Sequence, residues 1–131
     1  MKMNGKYLLD TNIVIALFSE DKEVIEKVRN AREIYIPSIV LGELFYGAYN
    51  SSKQKKNLER LEKFRKEIGI LECGDETAKV YGEIKYELKK KGRPIPENDI
   101  WIGAIAIQYK LTLASKDNHF QHLDNLKTEK W

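Results

Sequence analysis

The sequence lacks the features that mark membrane proteins, secretory precursors and disulfide-rich proteins. Its one cysteine, Cys73, has no partner for an internal disulfide, which fits a reducing compartment. No apolar run approaches the roughly 18–20 residues of a bilayer-spanning helix. The short run Tyr7–Leu9 ends at Asp10, too early for a secretory signal. We therefore predict a cytoplasmic protein without a membrane segment, with Cys73 as a buried, inert thiol.

Composition predicts one globular domain without naming a partner. The 131 residues are 42% hydrophobic and 33% charged, so we expect a single domain over 1–131. The net charge of +3 is mild, although basic side chains crowd 53–66 and 89–93. Such clusters attract a phosphate backbone. Acidic residues interleave with the first cluster, however, so a solvated helix face is the favoured explanation.

Short apolar segments alternate with amphipathic ones along the chain. The apolar segments predict strands at 7–9, 34–36, 70–71 and 111–114, and a last edge strand at 126–128. Helices are predicted at 12–19, 22–32, 39–48, 51–68, 75–91 and 98–110, with a helical turn at 119–123. We expect Asp21 and Ser38 to be N-caps and Gly92 a left-handed terminator. The alternation predicts an α/β fold with a mainly parallel sheet covered by helices on both faces.

Four carboxylates stand where such a fold places a site. Ligands of parallel sheets bind beyond the carboxyl ends of the strands. Asp10 directly follows the first predicted strand, and Asp117 lies just past the fourth. Asp99 begins a helix whose amino end is expected at the same edge. Glu43 borders an apolar helix face, where a carboxylate is costly unless a partner or cation compensates it.

Clustered carboxylates support a narrow chemistry. They form an oxygen site suited to Mg²⁺ or Mn²⁺. Such a cation can activate water and stabilise the charge that develops on a phosphodiester. Thr11, Asn12 and Ser115 are then candidates for holding the carboxylates or a water by hydrogen bonds.

Each acid also has a purely structural explanation. Asp10 and Asp117 could be ordinary turn or capping residues. Asp99 could simply complement a helix dipole, and Glu43 could turn outward into solvent. The four acids are therefore weak signals singly, and their shared edge is what favours a site.

Histidines and aromatic residues give less specific signals. His119 and His122 are read as surface or turn residues, because neither accompanies a Ser or Cys nucleophile motif. Several aromatic side chains could stack on bases, although packing in a core or interface is the favoured use. These are Trp101, Trp131, Tyr46, Tyr49, Tyr81 and Tyr86.

Four ordered segments resemble the acidic motifs of PIN-domain proteins, and within that superfamily the VapC-type toxins. They are Leu8-Leu9-Asp10-Thr11-Asn12, Ile36-Pro37-Ser38-Ile39-Val40-Leu41-Gly42-Glu43-Leu44, Pro96-Glu97-Asn98-Asp99-Ile100-Trp101-Ile102 and Ala114-Ser115-Lys116-Asp117-Asn118-His119-Phe120. The resemblance implies a three-layer α/β/α fold and RNA cleavage dependent on a divalent cation. It also implies that the metal-site acids are Asp10, Glu43, Asp99 and Asp117. Homodimerisation and a cognate antitoxin that inserts a segment into the site are implied as well.

The sequence departs from this pattern in three places. Ser115 stands where the family more often has Thr, which keeps the hydroxyl. Gly103 replaces a usual Ala and is expected to weaken its helix by about 1 kcal/mol. Asn118 and His119 follow the fourth acid, where some relatives carry a further acid, which argues against a tightly held second metal.

Three other functions compete with the ribonuclease. A phosphohydrolase of the haloacid-dehalogenase type needs a second Asp two positions after Asp10, where Asn12 stands. A nucleic-acid-binding or regulatory module would use the acids structurally. A DNA nuclease would use the same metal chemistry, and the sequence leaves these last two open.

Overall fold

A five-stranded parallel sheet organises the chain in the computed structural model, which describes residues 5–131. The strands are β1 (Lys6–Leu9), β2 (Glu33–Pro37), β3 (Gly69–Leu71), β4 (Thr112–Ser115) and β5 (Thr128–Lys130). Their spatial order is β3-β2-β1-β4-β5, and each neighbouring pair is parallel. The chain leaves β1 toward β2 and later returns to the other side of β1 as β4. That reversal places a ligand crevice beyond the carboxyl ends of β1 and β4.

Helices cover both faces of the sheet. They are α1 (Thr11–Phe18), α2 (Lys22–Asn30), α3 (Ser38–Tyr49), α4 (Gln54–Glu67), α5 (Asp75–Lys91) and α6 (Glu97–Gln108), followed by a 3₁₀ turn at His119–His122. Successive strand residues point to opposite faces. The neighbours Leu8 and Leu9 in β1 are both fully buried, as are Leu113 and Ala114 in β4. The predicted three-layer α/β/α fold is thereby confirmed.

Local signals fixed most helix ends. Asp21 caps α2 by accepting hydrogen bonds from the backbone N–H groups of Glu23 and Val24, as predicted. Gly92 ends α5 with φ at +65°, a conformation that glycine adopts without steric cost. Ser38, expected as a cap, is instead the first residue of α3, because Pro37 takes the capping position.

Three expectations were wrong or incomplete. The last strand is β5, two residues later than predicted, because Leu126 packs against the core instead of pairing at the edge. Cys73 is exposed rather than buried, since it lies in the connection between β3 and α5. At Gly103, a Cβ atom would lie 2.6 Å from Leu123 Cδ2, so the glycine allows this segment to pack closely on α6.

Helix boundaries differed only slightly from expectation. The segment 51–53 forms a turn before α4, α2 ends at Asn30, and α6 runs from Glu97 to Gln108.

Among the helices formed by residues 5–131, none is both long and apolar enough to cross a membrane.

Candidate metal centre at the carboxyl edge of the sheet

Asp10 lies immediately after β1 and is 6% exposed. Its Oδ1 accepts a hydrogen bond of 2.8 Å from the backbone N–H of Thr11, which makes Asp10 the N-cap of α1. Its Oδ2 accepts one of 2.7 Å from the Ser115 hydroxyl at the end of β4. The end of β1 and the end of β4 are therefore joined through a buried carboxylate, at the edge where the sheet rule places ligands.

Asp99 and Asp117 meet around His119. The ring nitrogen Nδ1 of His119 lies 2.9 Å from Asp99 Oδ2 and 3.1 Å from Asp117 Oδ2. One ligand atom from each of the three residues lies within 4.8 Å of the others. The backbone N–H of His119 also donates to Asp117 Oδ1 at 2.9 Å. The two acids, one from α6 and one from the loop after β4, are thus brought to a common point.

Glu43 completes the group from α3. It is half-buried, and burial is the main cause that raises its pKa above the ordinary value, followed by the charges of Asp10 and Asp99. The neighbouring Thr11 hydroxyl acts in the opposite direction on this pKa. Within residues 5–131, Thr11 Oγ1 is buried yet makes no hydrogen bond of normal geometry. A polar oxygen beside the acids is thus left with free bonding capacity.

The loop after β4 is held by Ser115 and Asn12. The Ser115 hydroxyl accepts a hydrogen bond of 2.9 Å from the backbone N–H of Asp117 while it donates to Asp10. Asn12 Oδ1 accepts a bond of 3.1 Å from the backbone N–H of Lys116. All seven residues singled out in the sequence therefore lie at this edge, the four acids with Thr11, Asn12 and Ser115 around them.

The electrostatics of the group favour a bound cation. Burial chiefly raises the pKa of Asp10, the hydrogen bonds from Ser115 and Thr11 lower it, and the charges of Asp99 and Asp117 raise it further. Carboxylate oxygens are the ligands that hard divalent cations such as Mg²⁺ and Mn²⁺ prefer. A divalent cation would relieve the mutual repulsion of these carboxylates. It would also place a positive charge near the Thr11 hydroxyl oxygen, which has free bonding capacity. The residues present therefore fit a divalent cation.

His119 is an exposed turn residue, as the sequence predicted, but its contacts with two of the acids were not predicted. Its contact with Asp99 is the first cause that raises its pKa; burial lowers that pKa, and the charges of Asp117, Asp99 and Asp10 raise it again. The raised pKa favours an imidazolium among the acids. Its position two residues after Asp117 was a signal, because a loop that aims one side chain at the site brings its neighbours close.

Removing the Ser115 hydroxyl should weaken both the fold and the site. We expect Ser115→Ala to lower the free energy of unfolding by about 1–3 kcal/mol, because a buried Asp10 oxygen and the Asp117 N–H lose their partner. Ser115→Thr keeps the hydroxyl and is the matched control. Chemical denaturation measures both variants. Equal stability of Ser115→Ala and the parent chain would contradict the linking role.

In metal-free buffer, Asp10→Asn is expected to raise Tm by a few degrees at neutral pH. A folded-state pKa above the ordinary 3.8 means that ionised Asp10 destabilises the fold. This penalty is absent below the unfolded pKa and grows as pH rises through the folded value. The increase in Tm caused by Asp10→Asn should therefore be absent at low pH and grow as pH rises through the folded pKa, since Asn can still cap α1.

Calorimetry in EDTA across that pH range tests this prediction. Asp21→Asn, at the partly exposed cap of α2, is the control and should change Tm little. A gain that is constant with pH would contradict the electrostatic explanation. Added Mg²⁺ should raise Tm more in the parent chain than in Asp10→Asn, because ligands stabilise the state that binds them.

The family assignment follows from comparison of the whole chain. The model of the PIN domain matches residues 7–126. This chain belongs to the PIN domain family. The predicted family is thereby confirmed, and the segments that carried the resemblance lie inside the matched range.

Curated PIN-domain relatives match almost end to end. "Ribonuclease VapC2" of Haemophilus influenzae is 38% identical over 129 residues, covering 96% of this chain and 98% of the relative. "tRNA(fMet)-specific endonuclease VapC" of Shigella flexneri is 33% identical, again over 96% of this chain and 98% of the relative. The predicted nuclease agrees with these names.

Solved structures agree with the fold. VapBC2 from Rickettsia felis, bound to a DNA fragment from its promoter, superposes with a TM-score of 0.87 at 33% identity. That match covers 95% of this PIN domain and 98% of the other chain. DNA-bound VapBC from Salmonella typhimurium gives a TM-score of 0.89 at 28% identity, with coverage of 97% and 98%.

Proposed function

We propose that this PIN domain, as a single catalytic domain over 1–131, is a divalent-cation-dependent endoribonuclease and the toxin of a toxin–antitoxin pair. The convergence of Asp10, Asp99, Asp117 and Glu43 at the end of β1 and β4 is the observation that carries the proposal. The relatives named as ribonuclease and tRNA endonuclease support RNA as the substrate. We propose the cytoplasm as the location of this activity.

The four acids are proposed to hold Mg²⁺ or Mn²⁺. When bound, such an ion supplies an activated water and stabilises charge on the phosphodiester. Ser115 orients Asp10, and the Asp117 N–H orients Ser115 in turn. His119 lies between Asp99 and Asp117 and holds the two carboxylates close together before the cation binds.

A phosphohydrolase of the haloacid-dehalogenase type is disfavoured because it needs a second Asp two positions after Asp10, where Asn12 stands. The Asn12 side-chain oxygen accepts a hydrogen bond of 3.1 Å from the backbone N–H of Lys116, so this side chain holds the loop after β4.

A groove between α1, α3 and α4 suits the proposed antitoxin. It has a volume of about 310 Å³, and its apolar wall includes Ile15, Phe18, Leu44 and Leu61. Ile15 is 52% exposed, so the groove presents this apolar side chain to a bound partner. Glu43 lines the same groove, so a segment bound there would reach the acids. VapBC complexes among the similar structures support such a partner, and we propose a homodimer as the assembly that binds it.

Side-by-side digestion tests the activity. Purified protein is incubated with total RNA, with an initiator-tRNA transcript and with a DNA strand of the same sequence, in Mg²⁺, Mn²⁺ or EDTA. We expect discrete RNA fragments with either cation, none in EDTA, and recovery when the cation is restored. Preference for DNA would favour a DNA nuclease. RNA binding that is insensitive to EDTA, without cleavage, would favour a binding or regulatory module.

A further inference from the structure

An open depression adjoins the acid cluster on the side of α3. It has a volume of about 580 Å³ and is lined by Thr11, Ile39, Gly42, Glu43, Tyr46 and Asn98. Thr11 and Glu43 belong to the metal centre already described, and Asn98 directly precedes Asp99. A group bound in this depression would therefore lie beside a phosphate held at the acids.

Tyr46 forms one wall and is 72% exposed. It follows Glu43 by three residues on α3, a spacing that places two Cβ atoms about 5–6 Å apart on one helix face. The Tyr46 ring is absent from the ring–ring contacts found within residues 5–131. Tyr81 and Trp101, by contrast, stack on each other at 4.0 Å. A free aromatic face is thus available next to a catalytic acid.

The rest of the depression suits a flat, polar-edged group. A Cβ built on Gly42 would meet no atom within 4 Å, so the depression that Gly42 and Tyr46 both line is open at this point. The Asn98 side-chain amide offers both a hydrogen-bond donor and an acceptor. A nucleobase has the matching features, a π-face for stacking and an edge of donors and acceptors.

We propose that Tyr46 and Asn98 form a nucleobase subsite, in which the Tyr46 ring stacks on one unpaired base and the Asn98 amide contacts its edge. The proposal rests on the proposed ribonuclease function and adds a requirement about the substrate. A base inside a duplex cannot offer its face to a side chain, whereas single-stranded loops can. The subsite therefore selects RNA that is unpaired next to the cut, and Tyr46 is a positioning residue.

Binding of two 12-mers separates base contacts from phosphate contacts. One is oligouridylate, and the other is an abasic 12-mer with the same phosphates. All binding measurements use the Asp10→Asn protein in Mg²⁺, so that the RNA stays intact. Binding is measured by fluorescence anisotropy. Adding Tyr46→Ala is expected to weaken oligouridylate binding about tenfold, the usual size of a lost base stack. Binding of the abasic 12-mer should not change.

Matched variants test the assignment on the same helix. Tyr46→Phe keeps the ring and should retain binding. Tyr49→Ala removes a tyrosine that is 59% exposed but lies outside the depression, and it should have no effect. Gly42→Leu fills the depression while Tyr46 remains, and it should reproduce the loss. In chains with Asp10 intact, Tyr46→Ala should raise KM more than it lowers kcat.

Three results would overturn the subsite. They are equal weakening of both 12-mers by Tyr46→Ala, no weakening of either, or loss of a homodimer by light scattering, which would assign the ring to a protein interface. A different outcome would contradict the proposed ribonuclease and leave the subsite intact. In that outcome the protein never cleaves RNA, but Tyr46→Ala still weakens binding of oligouridylate and not of the abasic 12-mer. The two proposals can therefore fail separately.

Discussion

Asp99→Asn is expected to reduce RNA cleavage by at least about a hundredfold while the protein stays folded. Asp99 lies in the first turn of α6 and, with Asp117, contacts His119. The substitution removes one negative charge from the proposed cation site, and such a site contributes several kcal/mol to catalysis. Single-turnover cleavage at saturating Mg²⁺ measures the loss, and circular dichroism checks the fold.

Asp75→Asn is the matched control for this experiment. Asp75 is an exposed acid in the first turn of α5, so it tests a general helix-end charge effect away from the proposed metal centre. Cleavage by Asp75→Asn should match that of the parent chain. Turnover by Asp99→Asn within a few fold of the parent would remove Asp99 from the proposed catalytic group.

Phe120→Ala should lower the free energy of unfolding by about 3–5 kcal/mol. Phe120 is 1% exposed and lies in the 3₁₀ turn directly after His119, where it joins the main hydrophobic core. The deletion leaves a cavity and loosens the segment that carries Asp117 and His119. Cleavage should therefore fall even at temperatures where most of the protein is folded.

Denaturant titration and cleavage assays at low temperature test both parts of this prediction. Tyr109→Ala removes a large aromatic side chain that is substantially exposed at the end of α6, and its effect should stay within about 0.5 kcal/mol. A loss of stability in Phe120→Ala without any change in cleavage would mean that the loop is positioned by Ser115 and Asn12 alone.

The placement of the acids could be predicted because it depends on strand ends. Asp10 and Asp117 follow apolar segments, and parallel strands bring such positions to one edge. Glu43 was recognisable from its place beside an apolar helix face, and the resemblance supplied the common chemistry. These are local signals that a single sequence carries.

The remaining features depend on how distant segments meet. His119 became part of the centre because the loop after Asp117 turns back toward α6, a geometry that no local periodicity encodes. The relation between Tyr46 on α3 and Asn98 on α6 likewise arises from helix packing across the sheet edge. Leu126 displaced the last strand because burial in the core outweighed edge pairing.

The hydrogen bond between Ser115 and Asp10 spans 105 residues of sequence. The centre therefore cannot form until β4 has been synthesised and has paired beside β1. During translation, at about 5–20 residues per second, the growing chain would carry β1 and α3 for several seconds without a complete centre. A chain that ends before β4 lacks both Ser115 and Asp117, so we expect prematurely terminated chains to have no cleavage activity.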